Sequence, residues 1–190
     1  MQISCHLLVQ QQWSDEEKMK IAVVGAGSMG SLFGALLVEA GFELWLLDVW
    51  TEHINIINER GLSIEREGKI RLVQIAATTD VTHIGQADLI IIFVKSTQTA
   101  QAARSAKAMA GSGSVVLTLQ NGMGNADISA KTIGAKRVVA GTTSHGATLL
   151  GPGSIRHAGV GPTVIGMWES GDPTQAHTIA KAFNEAGLQT

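Results

Sequence analysis

The sequence predicts an α/β fold, a doubly wound and mainly parallel sheet, on three observations. Strand-like and helix-like segments alternate from residue 20 onward, one strand candidate is apolar at nearly every position, and a G-x-G-x-x-G turn separates the first strand candidate from the first helix candidate. Such alternation requires right-handed crossovers between parallel strands. A strand apolar on both faces belongs inside a parallel sheet that helices cover from both sides.

The elements follow in order. Residues 20–24, 29–40, 43–47 and 51–60 read as strand, helix, strand and helix; Ile54 and Ile57 keep helical spacing in the last, and Gly61 stops it. Residues 62–66 and 69–76 flank Glu67-Gly68 as a hairpin. Residues 88–94 form the apolar strand, 97–110 an Ala-rich helix and 114–119 a further strand ending in Gln-Asn-Gly-Met-Gly. A short helix at 126–133 is followed by strand candidates at 137–141, 144–150, 154–157 and 163–167, expected to tend antiparallel, and a last helix at 174–186. The first 18 residues carry neither periodicity nor the marks of a secretory signal, so they read as an appendage to a domain covering residues 19–190.

Composition narrows the function. The 190 residues carry a net charge of −2, and the 14 basic residues are scattered, which excludes an electrostatic footprint for nucleic acid or anionic lipid. The longest strongly apolar run, residues 89–94, is far short of the roughly 20 residues of a membrane helix, so no membrane partner is expected. The single cysteine, Cys5, excludes an internal disulfide framework and a cysteine-based zinc site; cytoplasm is the expected compartment, and no metal is expected.

Chemistry concentrates at the turn Gly25-Ala26-Gly27-Ser28-Met29-Gly30, which follows a strand and opens a helix. Gly25 permits the tight turn, Gly27 permits close approach of a pyrophosphate, and Gly30 permits close packing of helix on sheet. The helix N-terminus adds free amides and a positive dipole end. Asp48 ends the second strand 18 residues after Gly30, where an acid accepts the ribose hydroxyls and repels a 2′-phosphate; the bland alternative is a solvated strand-end aspartate. Lys95 and Asn121 stand where two further strands end, the ligand-binding edge of such a sheet, although a lysine there can also simply snorkel and an Asn-Gly can simply turn. His145 and His157 match no metal spacing and are expected to be structural.

Taken together, residues 19–30, Val94-Lys95, Gln120-Asn121-Gly-Met-Gly, Gly141-Thr-Thr-Ser-His-Gly-Ala147 and His157-Ala-Gly-Val-Gly-Pro-Thr-Val-Ile-Gly166 resemble the ketopantoate reductase (2-dehydropantoate 2-reductase) family. The resemblance implies a cytoplasmic oxidoreductase of pantothenate and coenzyme A biosynthesis that reduces ketopantoate with a nicotinamide hydride from NADP or NAD. It further implies that residues 25–30 hold the pyrophosphate, Lys95 contacts the cofactor and orients the site, Asn121 bridges nicotinamide and substrate, and Ala147 lines the cofactor pocket. Two departures accompany it. The family's proton-donating lysine lies in a Trp-x-Lys-Leu stretch of a following helical domain that has no counterpart before Thr190, so this chain is expected to bind cofactor, to turn over negligibly and to self-associate through the face left uncovered. Many members prefer NADPH and carry a basic residue near the second strand's end, where this chain has Asp48, favouring NAD. The competing class is a stand-alone dinucleotide-sensing regulatory module, which needs neither Lys95 and Asn121 nor a β-rich segment after residue 140.

Overall fold

Short apolar runs, buried at nearly every residue in the central strands, define the main sheet, and a computed structural model describes residues 19–190; the expectation for residues 1–18 lies outside them. The elements are β1 (Lys20–Val24), α1 (Ser28–Glu39), β2 (Glu43–Leu47), α2 (Thr51–Arg60), β3 (Leu62–Arg66), β4 (Lys69–Val73), β5 (Ala76–Thr78), β6 (Ala87–Ile92), α3 (Thr99–Met109), β7 (Ala110–Thr118), α4 (Asn125–Ile133), β8 (Val138–Thr143), β9 (Gly146–Gly151), β10 (Ser154–Gly159), β11 (Thr163–Met167) and α5 (Pro173–Glu185).

Seven strands form the main sheet in the order β11-β8-β7-β6-β1-β2-β5. All neighbours are parallel except β11, which runs antiparallel to β8. The period-2 geometry of a strand sends alternate residues to opposite faces, and both faces are filled. Ile21, Val23, Leu46, Leu89 and Ile91 join Leu32, Phe33 and Leu37 of α1 and Phe183 of α5 in one core. Ala22, Val24, Ile90 and Ile92 join Ala102, Ala106 and Met109 of α3 in the other. Each large side chain so buried contributes about 1.5–3 kcal/mol, and β1 and β6 contribute on both faces, which fixes them at the sheet's centre.

A second sheet of four strands, β4-β3-β10-β9, extends the first core with Leu62, Ile64 and Ile155. Glu67 (φ 52°) and Gly68 (φ 76°) both occupy the left-handed region that a two-residue hairpin turn between β3 and β4 demands. The expected strand 69–76 is in fact two. β4 ends at Val73, and β5 leaves the hairpin to pair in parallel with β2 in the main sheet. Val73, Ile75 and Ala77 are all buried, so the alternation runs on unbroken while the chain changes sheets.

The C-terminal strands likewise divide. β8 is parallel to β7, whereas β9 and β10 pair antiparallel in the second sheet, where β10 also lies parallel to β3. The Ala-rich helix begins later than its composition implies, because Ser96–Gln98 forms a 3-10 turn ahead of α3, and Ala110 already belongs to β7. No helix among the described residues is long and apolar enough to cross a membrane.

Candidate dinucleotide site

The glycine turn occupies the C-terminal end of β1, next to the ends of β2 and β6. Gly25 has φ +99° and donates its N–H to Leu47 O at 2.8 Å; a Cβ there would lie 2.8 Å from Val94 Cγ1. At Gly30 a Cβ would stand 1.9 Å from Gly25 O, so the first turn of α1 rests directly on the loop. Gly27 differs: a Cβ there would meet nothing within 4 Å. It is the residue immediately before α1, and no side chain caps that helix end and no acid lies in its first turn. The orphan amides of a helix start, with the positive end of its dipole, therefore face open space that suits a diphosphate. The residues present fit that group.

Asp48 is half-buried at the end of β2, and its carboxylate is already shaped by the backbone. Oδ2 accepts the Ala26 N–H at 2.7 Å and Oδ1 accepts the Trp50 N–H at 3.0 Å, which ties the acid to the glycine turn and leaves one lone pair on each oxygen. A cleft of about 540 Å³ opens beside it, lined by Gly25, Asp48, Val49, Asp80, Val81 and Gln98 among others. The lining contains two carboxylates and neither lysine nor arginine. The backbone amide of Thr82, and then its hydroxyl, hold the Asp80 carboxyl below the usual carboxylate range, so the second negative charge is firm. Asp80 escapes a reading by motif because no fingerprint spacing points to it.

Lys95 and Asn121 follow adjacent strands of the parallel sheet, β6 and β7, and both are exposed. The structure brings their loops together through residues whose role the sequence does not announce. Ser96 Oγ donates to Asn121 O at 2.9 Å, and Asn125 Nδ2 donates to the carbonyls of Asn121 and Gly122, each at 3.1 Å. Thr99 Oγ1 donates to Asn125 Oδ1 at 2.8 Å, while Gln120 Nε2 donates to Val94 O at 2.7 Å and Thr99 Oγ1 at 2.9 Å. Thr99 and Asn125 are buried, so the network lies under the loops and holds the two exposed side chains above it. Lys95 forms no ion pair among the described residues. Beyond Asn121 a second cleft of about 500 Å³ is lined by Met123, Asp127, Thr142 and Trp168, with Met123 wholly exposed.

Ala147 stands apart from these loops. It lies half-buried on β9, opposite His157 of β10, and packs on the core that α1 also covers. His145 and His157 are buried beside it with Nδ1 and Nε2 3.4 Å apart, and the outward nitrogens, His145 Nε2 and His157 Nδ1, have no partner. Burial, with the Arg66 charge adding to it, pushes both imidazoles below the ordinary histidine range, and the His145 ring meets Phe33 edge-on. No group of three or more His, Cys, Asp or Glu converges among the described residues.

A doubly wound parallel sheet with this glycine turn, an acid at the end of the next strand and polar loops at the neighbouring strand ends defines a domain of the dinucleotide-binding, Rossmann class. Residues 21–170 match the family described as ketopantoate reductase PanE/ApbA, and the chain belongs to that family. The chain is 39% identical over 173 residues to the 2-dehydropantoate 2-reductase of Halobacterium salinarum, covering 90% of this chain and 57% of the relative, and 38% identical to that of Pyrococcus abyssi, covering 90% and 55%. It thus spans about half the length of the curated relatives it matches. Among solved structures it resembles D-mandelate dehydrogenase with NADH and anilino(oxo)acetate (TM-score 0.84, 33% identity, 90% of this chain and 55% of that one). It also resembles the 2-dehydropantoate 2-reductase of Geobacter metallireducens (TM-score 0.83, 27% identity, 90% and 56%).

Proposed function

We propose that residues 19–190 are the cofactor domain of a cytoplasmic 2-dehydropantoate 2-reductase, which reduces ketopantoate to pantoate in pantothenate biosynthesis. The observation that carries this reading is the open space above Gly27 at an uncapped helix start, in a chain of this family. When bound, the nicotinamide cofactor would supply the hydride for reduction of the keto group. The chain's own residues bind and orient: the amides of residues 25–30 hold the diphosphate, and the free lone pairs of Asp48 accept the adenosine ribose hydroxyls. Lys95 contacts the cofactor, Asn121 spans nicotinamide and keto acid above the Ser96–Thr99–Asn125 network, and Ala147 lines the cofactor pocket from β9. No residue here is assigned the proton transfer, which in the family falls to a lysine of a helical domain. Loss of a general acid costs about 10² to 10⁴ in rate. Residues 19–190 by themselves therefore bind dinucleotide and, with no proton donor assigned among them, turn over ketopantoate negligibly. Titration of NADH fluorescence followed by assay at saturating ketopantoate tests this: binding without turnover supports it, and robust turnover overturns the assignment of the acid.

The cofactor is NADH rather than NADPH, because the cleft beside Asp48 holds two carboxylates and no cation. A 2′-phosphate about 4 Å from a carboxylate is repelled by about 1 kcal/mol in water and about 4 kcal/mol at an effective dielectric of 20, about fivefold to several hundredfold in affinity. Paired titrations of wild type and Asp48→Asn check it: the variant narrows the preference, and equal wild-type affinities for the two cofactors remove Asp48 as the selector.

A further inference from the structure

Behind the glycine turn, His53 of α2 is completely buried and lies between the second sheet and the start of α1. Its Nδ1 accepts the N–H of Gly153, in the turn between β9 and β10, at 2.9 Å. An imidazole nitrogen that accepts an amide N–H carries no proton, so the neutral ring carries its proton on Nε2. Nε2 lies 3.4 Å from Ser31 Oγ of α1. The Ser31 hydroxyl spends its own proton on Ala26 O at 2.8 Å, so toward His53 it can only accept. Ala26 in turn donates its N–H to Asp48 Oδ2. Every donor and acceptor is thereby assigned, and the direction is forced: Gly153 to His53, His53 to Ser31, Ser31 to the Ala26 carbonyl, and the Ala26 amide to the carboxylate. Trp50, two residues after Asp48, stacks on the imidazole with centroids 5.0 Å apart and planes 10° from parallel.

We propose that His53 is a positioning residue for the dinucleotide loop, setting the Ala26 peptide, and through it Asp48, by a one-way hydrogen-bond chain that starts in the second sheet. The proposal rests on the dinucleotide reading above and adds a residue that touches no ligand. The Ala26 peptide is the middle link: its carbonyl and its amide are held from opposite ends, so its plane fixes both the glycine turn and the ribose acid. Only the neutral Nε2–H tautomer fits. Protonation of Nδ1 sets two N–H groups against each other at Gly153, and acid pH should therefore loosen the loop. Asp48 is the charged group facing the ring; its charge and the Ala26 carbonyl favour the protonated form, and burial opposes them more strongly, keeping the ring below the ordinary histidine range.

The test uses the whole chain and two side chains that each copy half of the imidazole. His53→Asn places an oxygen near Nδ1 and can keep the Gly153 bond, but it does not reach Ser31. His53→Gln places an amide N–H near Nε2 and can keep the Ser31 bond. Loss of one hydrogen bond to the loop corresponds to about two- to tenfold in affinity. His53→Asn and Ser31→Ala should weaken NADH by that factor, and His53→Gln should stay close to wild type. A residue that merely fills space predicts equal affinities in all three. Two-dimensional amide NMR gives a readout without ligand and without variants. On acidification of the wild type, the Ala26 and Gly153 amides should shift together with the His53 ring nitrogens. An Ala26 amide that ignores the His53 titration overturns the proposal. An Ala26 amide that follows it in a chain that binds no dinucleotide leaves the hydrogen-bond chain standing and overturns the functional reading instead.

Discussion

At Gly25 and Gly30 the glycine turn is shaped by backbone contacts and by the absence of side chains, with the side chains of Asp48 and Ser31 holding the Ala26 peptide between them, whereas around Lys95 and Asn121 the loops are joined by side-chain hydrogen bonds, most of them between residues 21 to 29 apart in sequence. The first arrangement presents amides at fixed points and leaves no room for an added atom at Gly25 or Gly30. The second presents two flexible, exposed side chains from a buried polar base and has no spare partner for a lost atom. The glycines are therefore vulnerable to addition and the polar base under Lys95 and Asn121 to deletion.

The most severe way to test that contrast is Gly30→Ala. Its Cβ would lie 1.9 Å from Gly25 O, a backbone atom that no rotamer change can move. Overpacking costs about 1–3 kcal/mol where side chains can adjust, so about 3 kcal/mol or more is expected here. For a domain of this size that lowers the thermal midpoint by about 6–12 °C, read by circular dichroism. A midpoint within a degree of wild type would mean the turn is not packed as described. Asn125→Ala comes next. It removes the Asn125 donor from the Gly122 carbonyl and the acceptor of the buried Thr99 hydroxyl, while the Asn121 carbonyl keeps Ser96 Oγ, for about 1–3 kcal/mol. The exposed neighbour Asn121→Ala should cost less than about 0.5 kcal/mol, and similar losses in urea denaturation for the two variants would erase the distinction between base and tip.

The same contrast explains what the sequence reveals. Gly25, Gly27, Gly30 and Asp48 are legible because backbone geometry demands those residue types at those spacings, next to strands whose apolar runs are plain. Lys95 and Asn121 are legible as strand-end polar residues, and the family resemblance supplies their roles. Ser96, Thr99, Gln120 and Asn125 are not legible: each is an ordinary turn or helix-start residue until the parallel pairing of β6 with β7 sets their loops side by side. The second sheet is hidden for a related reason. β3 and β10 pair across about 90 intervening residues, and the β4–β5 switch preserves alternation, so no local signal marks either. His53 reads as a polar residue on a helix face, and only the fold buries it.

Acid provides a milder challenge. His53, His145 and His157 are all held below the ordinary histidine value of 6.5, in each case chiefly by burial. Well above pH 6.5 neither the folded nor the unfolded chain protonates them, and their contribution is complete. As pH falls below that value the unfolded chain takes up protons that the folded chain refuses, so stability declines. The carboxyls lowered by hydrogen bonds, such as Asp80 and Asp172, titrate below this window. Urea midpoints should therefore drop between pH 7.5 and 5.5, and a flat profile would mean the imidazoles accept protons in place.

The smallest effect on the fold is expected at Gly27→Ala, and it sharpens the comparison most. The residue has φ −63° and ψ −168°, conformations open to alanine, and its Cβ meets nothing within 4 Å. The thermal midpoint should move by no more than about 1–2 °C, in the direction of stabilisation if the lost chain entropy of glycine dominates. Dinucleotide binding should nevertheless fall sharply, because the added methyl enters the space that the diphosphate must occupy to reach the α1 amides. Gly30→Ala damages the loop and hence binding; Gly27→Ala leaves the loop and removes only the room above it. Parallel measurement of thermal midpoint and NADH affinity separates the two. If Gly27→Ala binds NADH as wild type does, the diphosphate does not lie over this helix start, and the cleft beside Asp48 would have to hold the ligand without it.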